Sequence, residues 1–596
     1  MAEFAQSGLF GKVGLFCQKG LFWQKGLFGN KTGSGPFSDA VMRMNFAGPE
    51  SAALNGVSAT RLGGSMRYNA QGFREYAPEN LLFRSNEFSN SANWDVAGGS
   101  TTNNVAIGPY GGMTASRFTP AVLGQPPSVT GSINRKYQQI TVANTVFTNS
   151  IWIKTDVVDT AVAIHVVDAQ SDISRAVTNA VSTGTWQRIF VTGMTQASGV
   201  GGVRLLFAST EAVLIADAQC DRSAILRPYF RTTADAFFKP RAFENQTYNP
   251  TTLQPEGYLW ENSATNQCLQ SNNLAVSPWG KVDTTITSNV RMGASGQLDM
   301  DLITEGATGN SEIVQALTLV AGETKAIHFD VARGSHDWIR IQIYNNSFTA
   351  AVTYWFNMAT GLFGTIAQAG TGLSMATPYA VWHPASQLWR VFTFTYLDAS
   401  STSGNVYIDA AASNGAATGI PNSTRYQGCH QFEAGINASS YVATGTTQVT
   451  RVTDVCLGTT PWFNALEGTF YISVQTDANN AGFDSLYLGA SAAERMTVRL
   501  KGSSNTTNSF GISGNVSQYD FAFAPFVKDT VYKVAQSYKA NSFAASRNGS
   551  VVQTDASGTV STANQIIIGG GAPQRIKEIA YWNTQKPNDF LQQVTT

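Results

Sequence analysis

An all-β chain of tandem antiparallel sandwiches behind an extended N-terminal tail is predicted by three observations. Charged residues make up only 13% of the 596 positions while Gly alone accounts for 55, the profile of many short strands joined by polar turns. One long pattern occurs twice: Asn80-Leu81-Leu82-Phe83-Arg84-Ser85-Asn86, with Trp94 downstream, returns as Asn266-Gln267-Cys268-Leu269-Gln270-Ser271-Asn272, with Trp279 downstream. A shorter repeat sets Gly-Leu-Phe at Gly8, Gly14, Gly20 and Gly26.

Residues 1–34 form the tail. Six is a multiple of the strand period of two and not of 3.6, so in an extended chain Leu9, Leu15, Leu21 and Leu27 face one way and Phe10, Phe16, Phe22 and Phe28 the other. A helix would smear both rows and lose about 1 kcal/mol at each glycine. With no core of its own, the segment is expected to bind a groove on a partner or neighbouring copies of itself. A basic membrane-active peptide and a disordered tail are the alternatives, and the missing helical stripe weighs against the former.

Residues 35–79 read as a connector or a short strand pair, with turn signals at Arg67-Tyr68-Asn69-Ala70-Gln71-Gly72. The first sandwich is placed at 80–235, with β-rich runs at 146–154, 161–167, 187–192 and 203–207. A second connector, 236–264, holds Pro240, Pro250, Pro255 and Gly257-Tyr258-Leu259-Trp260-Glu261. The second copy occupies 265–454, with runs at 326–331, 338–344, 353–356 and 390–396. Thr185-Trp186-Gln187-Arg188 answers to Leu388-Trp389-Arg390, Gln219-Cys220-Asp221 to Gln431-Phe432-Glu433, and Tyr229 to Tyr441. Self-similarity over that much chain is duplication of a whole domain. A third sandwich, 455–596, opens at Glu467-Gly468-Thr469-Phe470 and closes through Ile576-Lys577-Glu578-Ile579-Ala580-Tyr581-Trp582.

Composition also excludes. Net charge is zero, so the chain as a whole has no electrostatic case for nucleic acid. No apolar run approaches the roughly 18 residues of a membrane span, and no continuous apolar stretch opens the chain, so a soluble protein without membrane insertion is expected. The five cysteines are too few and too scattered for a disulfide scaffold or zinc ribbon. Cys268 stands where the first copy has Leu82, and Cys220 where the second has Phe432, which marks both as core thiols.

The Asn-Leu-Leu-x-x-Ser-x-x-Phe segment with its downstream Trp, the Trp-x-Arg strand, the Gln-x-Glu strand and the closing Tyr…Arg…Asp together resemble the carbohydrate-binding-module-like sandwiches of bacteriophage head-spike and tail-fibre proteins. Pro240-Arg241-Ala242-Phe243 and Gly257-Tyr258-Leu259-Trp260-Glu261 look like the segment that precedes such domains. The Ile-x-x-Ile-Ala-Tyr-Trp strand with its following short helix resembles the laminin-G-like or concanavalin-like domain of the same fibres. This resemblance implies jelly-roll sandwiches, host glycan binding and a homotrimer. The first copy departs from it, having Gln219-Cys220-Asp221 and a shorter closing segment.

Chemistry-bearing residues are sparse. The five histidines make no metal-binding pair at helical spacing, no nucleophile elbow occurs in a strand-to-helix context, and Asp299 with Asp301 reads as a solvated loop. No enzyme, cofactor or metal site is expected. Sugar binding needs an aromatic plane and a few polar groups. Aromatics without a counterpart in the other copy are therefore the candidates: Trp382 with His383, Tyr354 with Trp355, and Tyr519 beside Asp520. The expected function is a virion structural protein, assembled in the host cytoplasm and exposed on the particle. Its tail would dock on other virion proteins and its sandwiches would bind host surface glycans. A capsule depolymerase and a ligand-free decoration or spacer protein are the rivals.

Overall fold

The computed structural model describes residues 36–46, 57–60, 66–97, 99–120, 131–141, 146–155, 161–168, 173–181, 183–194, 200–207, 211–233, 237–238, 247–397, 403–476, 483–501 and 506–596. The Gly-Leu-Phe residues from Leu9 to Phe28 lie outside these. Within them the chain is all-β, and the one helix, Asn588–Thr595, follows the last strand.

Residues 95–221 build two facing five-stranded antiparallel sheets. The run expected at 146–154 is the strand Val146–Lys154, the second strand of one sheet. It pairs on one side with Gln187–Met194 and on the other with Val213–Asp221. The second copy repeats the plan with a six-stranded and a seven-stranded sheet. Its core is aliphatic and aromatic, from Ile327, Phe329 and Val331 on one sheet to Ile339, Ile341 and Ile343 on the other. The alternation within each run turns one set of side chains inward, as a period of two requires.

The duplicated motif is a clasp at the end of each sandwich where the chain both enters and leaves. Asn80 donates to the carbonyls of Ala218 and Phe230 while its Oδ1 accepts from the Leu82 and Cys220 amides. Asn266 makes the same four bonds, to His430, Val442, Cys268 and Phe432. Ser85 bonds Tyr229 and Ser271 bonds Tyr441, both at 2.7 Å. Trp94 and Trp279 donate their indole N–H groups to Arg84 and Gln270 carbonyls, whose residues adopt φ of 49° and 51°. A buried amide that satisfies four backbone groups is hard to replace, which explains why these residues recur in both copies. Cys220, Cys268, Cys429 and Cys456 are buried free thiols.

The connectors do more than connect. Met42–Asn45 pairs with Gln574–Trp582, Val57–Thr60 pairs with Val455–Thr459, and Pro255–Trp260 adds to the other end of Gln574–Trp582. Both sheets of the C-terminal sandwich, of eight and seven strands, thus take strands from segments read as linkers. Met42, Met44, Phe46, Tyr258 and Trp260 are buried in its core. These runs are only four to six residues long and flanked by Gly and Pro, and they gain strand structure only from a sheet edge supplied by distant sequence. Phe37 stacks on Trp582 at 5.8 Å, and Asp39 accepts from the Trp582 indole and pairs with Lys586.

Candidate functional site

A short hairpin, Met66–Tyr68 with Arg74–Tyr76, sits where all three units meet. Its turn is closed by Asn69, whose Oδ1 accepts from the Gln71 and Phe73 amides. Gly72 holds φ of +82°, and a Cβ there would lie 2.8 Å from Leu253. The turn therefore needs glycine on both counts.

From this hairpin Arg74 enters the second sandwich. Its guanidinium donates to Asp330 Oδ2 at 2.6 Å, while Arg390 donates to Asp330 Oδ1 at 2.9 Å and to the Cys429 carbonyl at 2.7 Å. Arg390 also donates to His328 Nδ1 at 2.6 Å, which places the imidazole proton on Nε2, 2.9 Å from Glu433 Oε1. Glu433 in turn accepts from the amide and hydroxyl of Ser439. Arg74, Asp330, His328, Arg390 and Glu433 are all buried. Burial alone would raise the Asp330 pKa, but Arg74 and then Arg390 outweigh it and hold the carboxyl well below its usual range. Burial and the Arg390 charge push His328 down to about 4, so it is neutral at pH 7.

Above this relay opens a cleft of about 460 Å³. Tyr379, Val381 and His383 face it from the strand Tyr379–His383, Tyr68 and Arg67 from the hairpin, and Lys528 and Arg575 from the C-terminal sandwich. Tyr379 is half-buried and stacks on Phe392, with centroids 4.5 Å apart and planes 15° off parallel, so its orientation is fixed from behind. The Lys528 ammonium lies 4.5 Å from the Tyr379 centroid. Glu256 is held by Arg575 and Asn249, and Glu261 by Arg451 and both donors of Ser440. A second cleft, of about 390 Å³, lies on the other side of the hairpin against the first sandwich.

The structure separates most of the residues expected to bind sugar. Tyr354 is sealed in the second core, its hydroxyl donating to the Phe394 carbonyl at 2.5 Å, and Trp355 is buried with its indole on the Ala416 carbonyl. Both lie in the strand Ala351–Asn357 rather than a turn, so neither ring offers a free face. Tyr519 is buried against Phe521 and Phe543 and bonds Gln536. Its neighbour Asp520 is exposed and accepts from Asn508. Trp382 and His383 are consecutive strand residues and point to opposite faces. His383 lines the cleft, buried, with its Nε2 3.4 Å from the Tyr68 hydroxyl. Trp382 turns away from it and packs on Trp389 at 4.9 Å. Asp299 and Asp301, expected in a solvated loop, are buried on the strand Leu298–Glu305, and burial pushes both to about 6. Among the described residues no three His, Cys, Asp or Glu side chains converge as metal ligands would.

Trp382→Ala is accordingly expected to cost about 2 kcal/mol, through loss of the aromatic pair and half of a large buried area. Thermal denaturation of the variant checks this, and an unshifted transition would return Trp382 to the surface.

The lining residues of the cleft were visible in sequence only as scattered polar and aromatic positions, because seven separate segments supply them. The signals that could have pointed there were Tyr379 beside Trp382 and the basic Lys528 after Pro525-Phe526-Val527.

No protein-family model matches the chain, and no curated protein matches it. Among solved structures, similarity extends to the tandem CBM22 domains of Paenibacillus barcinonensis Xyn10C, at 12% identity over 60% of this chain and 98% of that one, with a TM-score of 0.20. Mouse laminin α1 domains LG4-5 align at 10% identity over 47% and 86%, with a TM-score of 0.16. Trypanosoma rangeli sialidase aligns at 7% identity over 81% of each chain, with a TM-score of 0.20. At such scores these proteins lend this chain neither a ligand nor an activity.

Proposed function

We propose that the chain is a structural protein of a bacteriophage particle, a head spike or tail fibre, whose sandwiches bind a glycan on the host surface. The observation that carries the binding part is the cleft: a planar ring held rigidly from behind, set among charged and hydroxylated side chains between the hairpin, the second sandwich and the C-terminal one. Sugars are recognised by such a combination of apolar platform and fixed polar groups. The particle context, the trimer and the docking role of residues 1–34 rest on the sequence resemblance.

Binding is favoured over hydrolysis because the cleft's buried acids are each committed. Asp330 carries two guanidinium groups, Glu433 is held by His328 and Ser439, and Glu256 and Glu261 by arginines. A general acid must keep its proton near neutral pH, and Asp330, between two guanidinium groups, does not.

A glycan array probed with the whole protein should return host-surface glycans as hits. An array without hits favours the spacer reading, and release of reducing ends from host polysaccharide favours the depolymerase. Deleting residues 1–34 is expected to leave the sandwiches folded and to abolish incorporation into particles. Truncated protein found in virions at normal stoichiometry would end the docking idea. Sedimentation of the full and shortened forms reads the oligomer, a trimer in both moving its contacts into the sandwiches.

A further inference from the structure

The cleft's cations are not equally committed. Arg67, Arg74, Arg390, Lys528 and Arg575 line it against Glu256, Glu261 and Asp529. Arg67 is paired with Glu75, Arg575 with Glu256, and Glu261 with Arg451 behind the wall. Arg74 and Arg390 share the single carboxylate of Asp330. Among the described residues no carboxylate lies within ion-pair distance of Lys528. Its ammonium rests 4.5 Å from the centroid of the Tyr379 ring, a weak attraction where solvent reaches it. A cation held only over a ring is available to an anion entering from solvent.

Resting on the glycan-binding reading, we propose that this cleft selects an anionic sugar, with the acid group on Lys528 and the apolar face of the pyranose on Tyr379. Carboxylate and sulfate share the needed chemistry: a charge borne at the rim of a ring whose other face is apolar. When the acid group draws Lys528 aside, the outer face of Tyr379 is freed for stacking, so the two contacts form together. Because Tyr379 belongs to the second sandwich and Lys528 to the C-terminal one, an occupied cleft also ties these units to each other.

The test is titration calorimetry of the full chain with three oligosaccharides of equal length: a hexuronate oligomer, a sulfated neutral oligomer and an unmodified neutral one. The acidic oligomers should bind at least about tenfold more tightly than the neutral one. Lys528→Ala should remove that preference, Lys528→Arg should keep most of it, and neither should shift the melting temperature, since the side chain is half-exposed. Comparing the first two oligomers separates carboxylate from sulfate as the natural acid group. Equal affinity for all three would overturn the charge selection while leaving glycan binding intact. Acid preference that survives Lys528→Ala would overturn this placement of the acid group. Absence of binding to any of the three, alongside array hits elsewhere, would overturn the assignment of the cleft, and absence in both would remove the glycan reading itself.

Discussion

Cutting the chain after residue 46 is expected to abolish the cooperative unfolding of the C-terminal sandwich, whereas cutting it after residue 34 is expected to leave that transition in place. The difference lies in Met42, Met44 and Phe46, which are 2%, 0% and 0% exposed in the core of a domain more than four hundred residues away in sequence. Truncating a buried Met or Phe to Ala costs about 2–5 kcal/mol, and a whole domain is stable by only about 5–15. Removing all three also strips the partner from one edge of Gln574–Trp582. Calorimetry of the two truncations side by side reads the result. Identical melting profiles would show that the strand is an ornament on a sandwich that stands without it.

Acidification should unfold the second sandwich ahead of the others. Four of the five histidines lie there, each pushed down by burial: His328, His336 and His383 to about 4 and His430 to about 3. An unfolded histidine titrates near 6.5, so between about pH 6.5 and 4 the unfolded chain binds protons that the folded one refuses. The histidines' contribution is fully present above that window and drains as the pH falls through it, by about 1.4 kcal/mol per pH unit for each group; Asp299 and Asp301, raised to about 6, and Asp409, raised to about 7, bind protons first in the folded chain and offset part of that loss. Asp330 acts below it. With its folded pKa depressed beneath the unfolded value near about 4, its contribution is present above that value and lost under it. Denaturant midpoints at pH 7.5, 6.5, 5.5 and 4.5, followed by tryptophan fluorescence, test the claim. A midpoint that rises from 6.5 to 4.5 would contradict neutral burial of these rings, since the four histidines outweigh the three raised carboxyls.

Much of the architecture could be read before the structure was known, for identifiable reasons. The expected run at 146–154 coincides with a strand, and that at 338–344 falls one residue short of its own, because each is β-rich and bounded by turn residues. The duplication was legible because the clasp is made of specific polar side chains rather than interchangeable apolar ones. The strands Met42–Asn45 and Val57–Thr60 were not, since four residues carry no period and their partners lie near the other end of the chain. Tyr354, Trp355 and Tyr519, expected to bind sugar, are buried for a related reason. Lack of a counterpart in the other copy does not imply exposure, since Tyr354 and Trp355 belong to a strand whose neighbours bury both faces. The cleft was illegible because Tyr68, Tyr379, His383 and Lys528 converge only through the packing of three units.

Met42 faces Tyr581 across a strand pair, so the first strand among the described residues is completed by the last. At typical synthesis rates of about 5–20 residues per second, Met42, Met44 and Phe46 wait roughly half a minute to two minutes for their sheet. During that interval three large apolar side chains and an unpaired strand edge are carried by a nascent chain whose first two sandwiches are already being made. Such a segment is open to pairing with the wrong edge, including that of a neighbouring chain on the same message. Slow synthesis, crowded polysomes or loss of a holding chaperone should then depress the yield of the C-terminal sandwich selectively.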